Sequence, residues 1–177
     1  MPRDYKKEYN GVKIVKIKGI KDEDYVNYKK PSMFIIFPKC TFKCDKENGC
    51  KLCQNASLAH DPTMDIPTHI ILARYKSNPL THAIVCGGLE PFDTPNALVG
   101  LIETARHPMQ IEDDIVIYTG YTEEEILSQF TEHYNRICQY PNIIIKFGRY
   151  VPHEAPHVDP VLGVKLASKN QYAKKVT

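Results

Sequence analysis

Four cysteines stand close together in the first third of the chain. Cys40, Cys44, Cys50 and Cys53 share one short segment, whereas the two other cysteines of the sequence are isolated. Clustered cysteines in a protein from a reducing compartment indicate metal or redox chemistry more than disulfide bonds. Thiolates are soft ligands that prefer iron–sulfur clusters, zinc and Cu(I). The segment therefore predicts a metal site.

The spacing of these cysteines, C-x3-C-x5-C-x2-C, allows two kinds of site. If only three cysteines hold a four-iron cluster, one iron stays open to a substrate or cofactor. If all four bind, they can form a tetrahedral zinc site. Structural zinc modules usually place a longer stretch between their cysteine pairs, which favours the cluster, but both sites remain open at this point.

The elements that position the cysteines alternate between buried strands and helices. Short apolar runs predict buried strands at 33–37, 83–86, 115–118 and 142–147. Helical patterns cover 94–106 and 122–134, with Thr94 and Thr122 as expected N-caps. This alternation predicts an α/β fold with a mostly parallel sheet, in which the cysteine loop follows an early buried strand.

Unusual segments follow three of these strands. The cysteine loop comes after 33–37, Gly87-Gly88 comes at the end of the second run, and Thr119-Gly120 follows the third. Ligands of parallel sheets bind at the C-terminal ends of the strands. The three segments are therefore expected to form one shared site.

The rest of the chain carries weaker signals. Segment 12–20 alternates apolar and basic residues, which predicts one half-exposed strand, 22–30 is expected to be a loop, and 65–76 has mixed helical character. We expect a single domain over 1–177, with 1–30 as an N-terminal strand and loop extension. The net charge of +2 gives no support for nucleic acid or an anionic membrane as a partner. The polar N-terminus and the lack of a long apolar run lead us to expect a cytoplasmic protein.

Segment 37–55 resembles the cluster loop of radical S-adenosylmethionine (SAM) enzymes, most closely the activating proteins of anaerobic ribonucleotide reductase. Those proteins carry C-x3-C-x2-C followed by an aromatic or polar residue and Asn. Cys40-x3-Cys44 fits the pattern, and Cys53 is followed by Gln-Asn. Eight residues separate Cys44 from Cys53 instead of two, so this chain has a six-residue insertion that contains Cys50. The resemblance favours Cys40, Cys44 and Cys53 as cluster ligands, with Cys50 in place of Cys53, or all four cysteines, as alternatives.

Further segments extend the resemblance over nearly the whole chain. Residues 86–92 resemble the Gly-Gly-Glu-Pro motif, with Leu89 inserted, which implies that Gly87, Gly88 and Glu90 hold the methionine end of SAM. Three later segments are similar to activase motifs in the same order, namely 117–122 (Thr-Gly-Tyr), 146–150 (Asp-Gly-Arg/Pro-Phe) and 166–171 (Ser-Ser-Asn-Gln).

The resemblance implies a specific fold and activity. The fold would be an incomplete (β/α) barrel that binds one [4Fe-4S] cluster and SAM. An electron from flavodoxin or ferredoxin would cleave SAM to methionine and a 5′-deoxyadenosyl radical. That radical would take a hydrogen atom from a backbone glycine of anaerobic ribonucleoside-triphosphate reductase or another glycyl radical enzyme. No residue is expected to act as a general acid, base or nucleophile, and Phe42 is expected to shield the cluster.

Three other functions compete with this one. The first is a radical SAM reaction on a small molecule, as in deazaguanine synthases. The second is a zinc-binding module without catalysis. The third is a family member that keeps a cluster but lacks turnover. His153 and His157 are interpreted as histidines of a surface loop and not as metal ligands.

Overall fold

The computed structural model describes residues 8–9 and 11–177. Its strands are β1 (Glu8–Tyr9), β2 (Val12–Ile17), β3 (Gly19–Asp24), β4 (Ser32–Phe37), β5 (Met64–Pro67), β6 (Ala83–Gly88), β7 (Asp114–Tyr118), β8 (Ile143–Phe147), β9 (His157–Val158), β10 (Lys165–Leu166) and β11 (Tyr172–Lys175). Its α-helices are α1 (Lys43–Asn48), α2 (Thr68–Ser77), α3 (Pro95–Arg106), α4 (Glu123–Gln129) and α5 (Thr131–Ile137), and short 3-10 helices cover Ala56–His60 and Pro91–Asp93.

Six strands form the central sheet, in the order β11-β8-β7-β6-β4-β3. The four inner strands β4, β6, β7 and β8 are parallel, whereas β3 and β11 pair antiparallel at the two edges. The predicted α/β fold with a mostly parallel sheet is therefore confirmed. No barrel is detected among the described strands, which pair as an open sheet.

The inner strands are apolar on both faces, because both faces of the sheet are covered. In β6, Ile84 and Cys86 pack in the larger core with α2 and α3, whereas Val85 points into a smaller core on the other face. Tyr28 and Leu162, which lie outside the helices, close that second face. Double coverage explains why these strands appear in the sequence as continuous apolar runs without polar alternation.

The parallel strands end level with one another. The register pairs Phe37 with Gly88 and Tyr118 with Lys146. The cysteine loop, the Gly-Gly segment and the Thr-Gly segment therefore leave the sheet at the same edge, as the sequence predicted.

The N-terminal part differs from the sequence-based expectation. The alternating segment 12–20 forms two strands, because β2 pairs with β5 in a separate sheet whereas β3 joins the central sheet. The expected loop 22–30 begins only after Asp24, and the segment 65–76 begins as β5 before α2 starts. β3 forms one edge of the central sheet, next to β4. Apart from Glu8–Tyr9, the polar segment 1–10 lies outside the described residues, and the single-domain organisation stays a prediction.

The helix predictions were right in place but not in every detail. Thr122 caps α4 in a capping box, since its hydroxyl accepts from the Glu125 N–H and the Glu125 carboxylate accepts from the Thr122 N–H. Thr94 does not cap α3 with its side chain, and Pro95 opens that helix. The expected helix 122–134 divides into α4 and α5 at Phe130, whose ring packs against Phe92 and Tyr121.

Among the helices of the described residues, none combines the length and hydrophobicity needed to cross a bilayer.

Candidate metal centre

The cysteine loop leaves β4 at Pro38 and turns sharply at Phe42. Phe42 has φ 52°, a left-handed conformation, and precedes α1. The turn brings the Phe42 N–H to within 3.2 Å of Cys40 Sγ. Cys40, Cys44 and Cys53 are partly buried, whereas Cys50 is exposed. The structure thus separates Cys50 from the other three cysteines by its environment.

Electrostatics link the three partly buried thiols. Burial raises the pKa of Cys40 to about 12, and negative charge on Cys44 adds to the increase. Burial also raises the pKa of Cys44, and negative charge on Cys53 raises it further, whereas Arg149 lowers it. Cys44 therefore interacts with both Cys40 and Cys53. Since a metal binds thiolates and releases their protons, loading of this site is expected to depend on pH.

The carboxylate of Asp45 holds Cys53 next to α1. Asp45 Oδ1 accepts hydrogen bonds from the backbone N–H groups of Leu52 and Cys53, both at 2.9 Å. Since Asp45 directly follows Cys44, this contact holds Leu52 and Cys53 near Cys44 after the insertion. Sequence reasoning assigned no role to Asp45, because a single acid next to Cys44 carried no signal that could have suggested one.

Gly87 and Gly88 lie at the end of β6, where β4 approaches closely. Gly88 has φ +83°, and a Cβ atom there would stand 2.5 Å from Ile36 Cγ2. A Cβ atom on Gly87 would stand 3.0 Å from Phe34 Cζ. The fold itself therefore requires glycine at Gly88, whatever the pair binds.

The buried carboxylate of Glu90 joins the strand ends. Its oxygens accept from the N–H groups of Phe92 at 3.1 Å and Gly120 at 2.8 Å, and the Glu90 N–H donates to Lys39 O at 2.7 Å. One residue thus connects the cysteine loop, the Gly-Gly segment and the Thr-Gly segment. Both oxygens of Glu90 thus accept from backbone donors. The role expected for Glu90, receiving the amino group of SAM, stays a prediction.

The C-terminal segment that resembles Ser-Ser-Asn-Gln packs on the end of β8. Asn170 Nδ2 donates to Arg149 O at 2.8 Å, and Gln171 Nε2 donates to Gly148 O at 3.3 Å. The Arg149 side chain in turn pairs with Glu125 at 2.8 Å. The C-terminal segment therefore positions an arginine whose charge acts on Cys44.

An open cavity of about 430 Å³ lies beside the loop, lined in part by Lys39, Cys40, Phe42, Leu89 and Asp93. Asp93 is held in place by two hydrogen bonds, from the Thr41 N–H at 2.8 Å and from the Tyr121 hydroxyl at 2.6 Å. Leu89, inserted relative to the Gly-Gly-Glu-Pro motif, fills part of the cavity wall. Because Phe42 lines the cavity, it can cover a group bound beside Cys40.

Comparison with protein families shows to which family the chain belongs. Residues 32–171 match the 4Fe-4S single cluster domain family. The chain belongs to the 4Fe-4S single cluster domain family. Domains of this family occur in radical SAM-type proteins. No curated protein and no solved structure matches the chain.

The donor types of this 4Fe-4S single cluster domain fit the chemistry of an iron–sulfur cluster, which prefers thiolate ligands. Three thiols interact through Cys44, and backbone N–H groups approach two of the sulfurs, as is usual for cluster thiolates. Within residues 11–177, no three side chains of His, Cys, Asp or Glu are arranged to hold a single metal ion. The partly buried cysteines Cys40, Cys44 and Cys53 are the residues that would hold the cluster of this domain, and this ligand set stays a prediction.

Lys146 is a functional-site candidate that sequence reasoning quoted only as part of a motif. Its side chain is buried at the end of β8 and donates to Gly148 O at 2.7 Å. Burial lowers the pKa of Lys146 to about 8, and the negative charges of Glu90 and Cys44 oppose this decrease. The 4Fe-4S single cluster domain thus places a buried cation within electrostatic range of Cys44, a predicted cluster ligand.

The stability of the metal-free domain is expected to depend on Glu90 between pH 4.5 and 7. Burial raises the pKa of Glu90 from 4.5 to about 7, so the folded chain binds more protons than the unfolded chain in this window. The Glu90 contribution to the free energy of unfolding therefore decreases as pH rises through this window. In urea denaturation at pH 5, 6 and 7, the free energy of unfolding is expected to decrease less with rising pH for Glu90→Gln than for the unchanged chain. Equal pH dependence in both chains would mean that Glu90 is ionised without penalty.

Proposed function

We propose that this chain is a radical SAM activase. Its [4Fe-4S] cluster, held by Cys40, Cys44 and Cys53, reduces SAM so that a glycyl radical forms on anaerobic ribonucleoside-triphosphate reductase or another glycyl radical enzyme. The observation that carries the proposal is the convergence at Glu90, which binds backbone groups of the cysteine loop and of the Thr-Gly segment. This convergence supports a single site built from three motifs that resemble those of activases.

The side chains divide the work of the proposed site. Three thiolates leave one iron of the cluster open, and the open iron is where SAM binds. Gly87, Gly88 and Glu90 are proposed to hold the methionine end, because glycines allow close approach of backbone oxygens and a carboxylate accepts from an ammonium. When bound, the cluster supplies the electron that cleaves SAM. The same proposal includes a central sheet that curves as an incomplete (β/α) barrel around the cluster site.

The open cavity supports a macromolecular substrate. The site is open beside Cys40 and Leu89, so a protein partner can provide the cover that keeps water away from radical chemistry. The activase-like segments at Thr119-Gly120 and at Ser168–Gln171 favour a glycyl radical enzyme over a small molecule. Flavodoxin or ferredoxin is the proposed electron donor, in the cytoplasm, with no role for nucleic acid or membrane.

The test is anaerobic purification and cluster reconstitution of the full chain. We expect about four irons and about four sulfides per chain, together with an EPR signal of the dithionite-reduced protein that changes when SAM is added. Incubation with SAM, reductant and an anaerobic ribonucleoside-triphosphate reductase is expected to produce a glycyl radical signal on the reductase. A Cys44→Ser variant is the control, because it lacks the thiol that interacts with both neighbours.

The possible outcomes separate the competing functions. Stoichiometric zinc, no reconstitutable cluster and no effect of SAM would favour the zinc-binding module. A cluster that responds to SAM, without a radical on any glycyl radical enzyme tested, would favour a small-molecule substrate. A cluster without SAM cleavage would indicate a family member that has lost turnover.

A further inference from the structure

The six-residue insertion in the cysteine loop is closed at its base. Helix α1 carries the chain away from Cys44 and ends at Gly49, which has φ 68° in the left-handed region. The chain then returns through Cys50, and the carboxylate of Asp45 receives the N–H groups of Leu52 and Cys53 at 2.9 Å each. Residues 46–51 therefore leave and rejoin the loop at one place.

The position of this closure restores the ligand spacing that the insertion interrupts. If residues 46–51 are removed, the remaining sequence is Cys44-Asp45-Leu52-Cys53, which is C-x2-C. The contact between Asp45 and Cys53 thus joins two residues that would be only two positions apart in a chain without the insertion. A second contact holds the insertion near Cys44, since Asn48 Nδ2 donates to Cys44 O at 2.8 Å.

We infer that Asp45 is a positioning residue that holds Cys53 beside Cys44, so that the third cluster ligand keeps its place despite the insertion. This inference rests on the proposed cluster site. Asp45 does not touch the cluster in this role. It acts through the backbone N–H of Cys53, because its carboxylate oxygen keeps that residue near Cys44 as a shorter loop would do.

The chemistry of the contact explains the residue type. Both bonds are charge-assisted, because a carboxylate accepts from neutral N–H donors. Asparagine offers one carbonyl oxygen at the same place and can accept from both donors, whereas alanine leaves both N–H groups without this partner. Without the contact, the insertion would still be held at Asn48, but residues 52 and 53 would lose their tie to Asp45, and the position of Cys53 would spread.

The experiment compares Asp45→Ala with Asp45→Asn in the long loop, and repeats Asp45→Ala in a chain that lacks 46–51. After anaerobic reconstitution, iron per chain and the rate of iron loss to a chelator are measured. In the long loop, we expect Asp45→Ala to lose iron at least about tenfold faster than the unchanged chain, and Asp45→Asn to stay close to it. In the short loop, Asp45→Ala is expected to have little effect, because the C-x2-C spacing itself positions Cys53.

A second measurement does not depend on the cluster. Hydrogen exchange of the metal-free chain, followed by mass spectrometry in the peptide that contains Leu52 and Cys53, is expected to be faster in Asp45→Ala than in Asp45→Asn. This comparison decides the inference even if the short-loop chain does not fold. Equal exchange in these variants, or equal iron loss in the long loop, would overturn the role of Asp45. An unchanged chain that binds no cluster, with faster exchange in Asp45→Ala, would overturn the proposed function and leave the closure of the loop standing.

Discussion

Replacing Cys53 with serine is expected to reduce the iron content from about four atoms per chain to below about one. Cys53 is partly buried and acts electrostatically on Cys44, and its N–H is held by Asp45. A serine at this position keeps the size of the side chain but removes the soft thiolate that iron prefers. The measurement is iron and sulfide analysis after anaerobic reconstitution, together with EPR of the reduced protein.

Cys50→Ser is the matched control, because Cys50 lies in the same loop and is exposed. We expect this variant to keep its full iron content and its response to SAM. The opposite pattern, with iron lost from Cys50→Ser and kept by Cys53→Ser, would make Cys50 the third ligand. Loss of metal from both variants would indicate a site that needs all four cysteines, as in the zinc alternative.

Replacing Gly88 with alanine is expected to destabilise the fold by about 2–4 kcal/mol. The strain has two sources that add. The φ of +83° disfavours any residue with a Cβ atom, and the new methyl group would stand 2.5 Å from Ile36 Cγ2 and 3.2 Å from Ile36 Cα. The second contact involves backbone of the neighbouring strand β4, so a change of rotamer cannot relieve it. Urea denaturation of the metal-free chain gives the free energy of unfolding directly.

Gly100→Ala is the control for this measurement. Gly100 lies inside α3, its φ is not in the left-handed region, and a Cβ atom there would meet Lys13 Cδ at 3.5 Å, an ordinary contact distance. Since alanine is the better helix former, this variant is expected to be as stable as the unchanged chain or up to about 1 kcal/mol more stable. A loss below about 1 kcal/mol for Gly88→Ala would show that β4 can move away.

The inner strands and their common edge could be predicted from sequence. The runs that became β4, β6, β7 and β8 are apolar at successive positions, because each strand is buried on both faces of the sheet. The grouping of the motifs at one edge of the sheet then followed from the rule that parallel strands present their C-terminal ends together. The cysteine types and spacing also indicated the cluster chemistry that the family match supports.

The edges of the fold were less predictable. A polar strand such as β11, which borders solvent, lacks the apolar run that identified the inner strands. Segment 12–20 has the same alternation on both sides of Lys18, so its pattern could not show that β2 and β3 join different sheets. The expected long helix divides at Phe130, whose ring packs on Phe92, a residue 38 positions away that the local pattern could not reveal.

The sequence alone determined which chemical groups are present, in what order, and at which strand ends. Only the tertiary structure decided what the charged groups near the cysteines bind. Asp45 accepts from the N–H groups of Leu52 and Cys53, Glu90 accepts from the Gly120 N–H, and the buried Lys146 donates to Gly148 O. The physical reason is that a local pattern reports the burial of a segment, whereas the partner of a buried charge depends on which distant backbone groups the packed fold brings within hydrogen-bond distance.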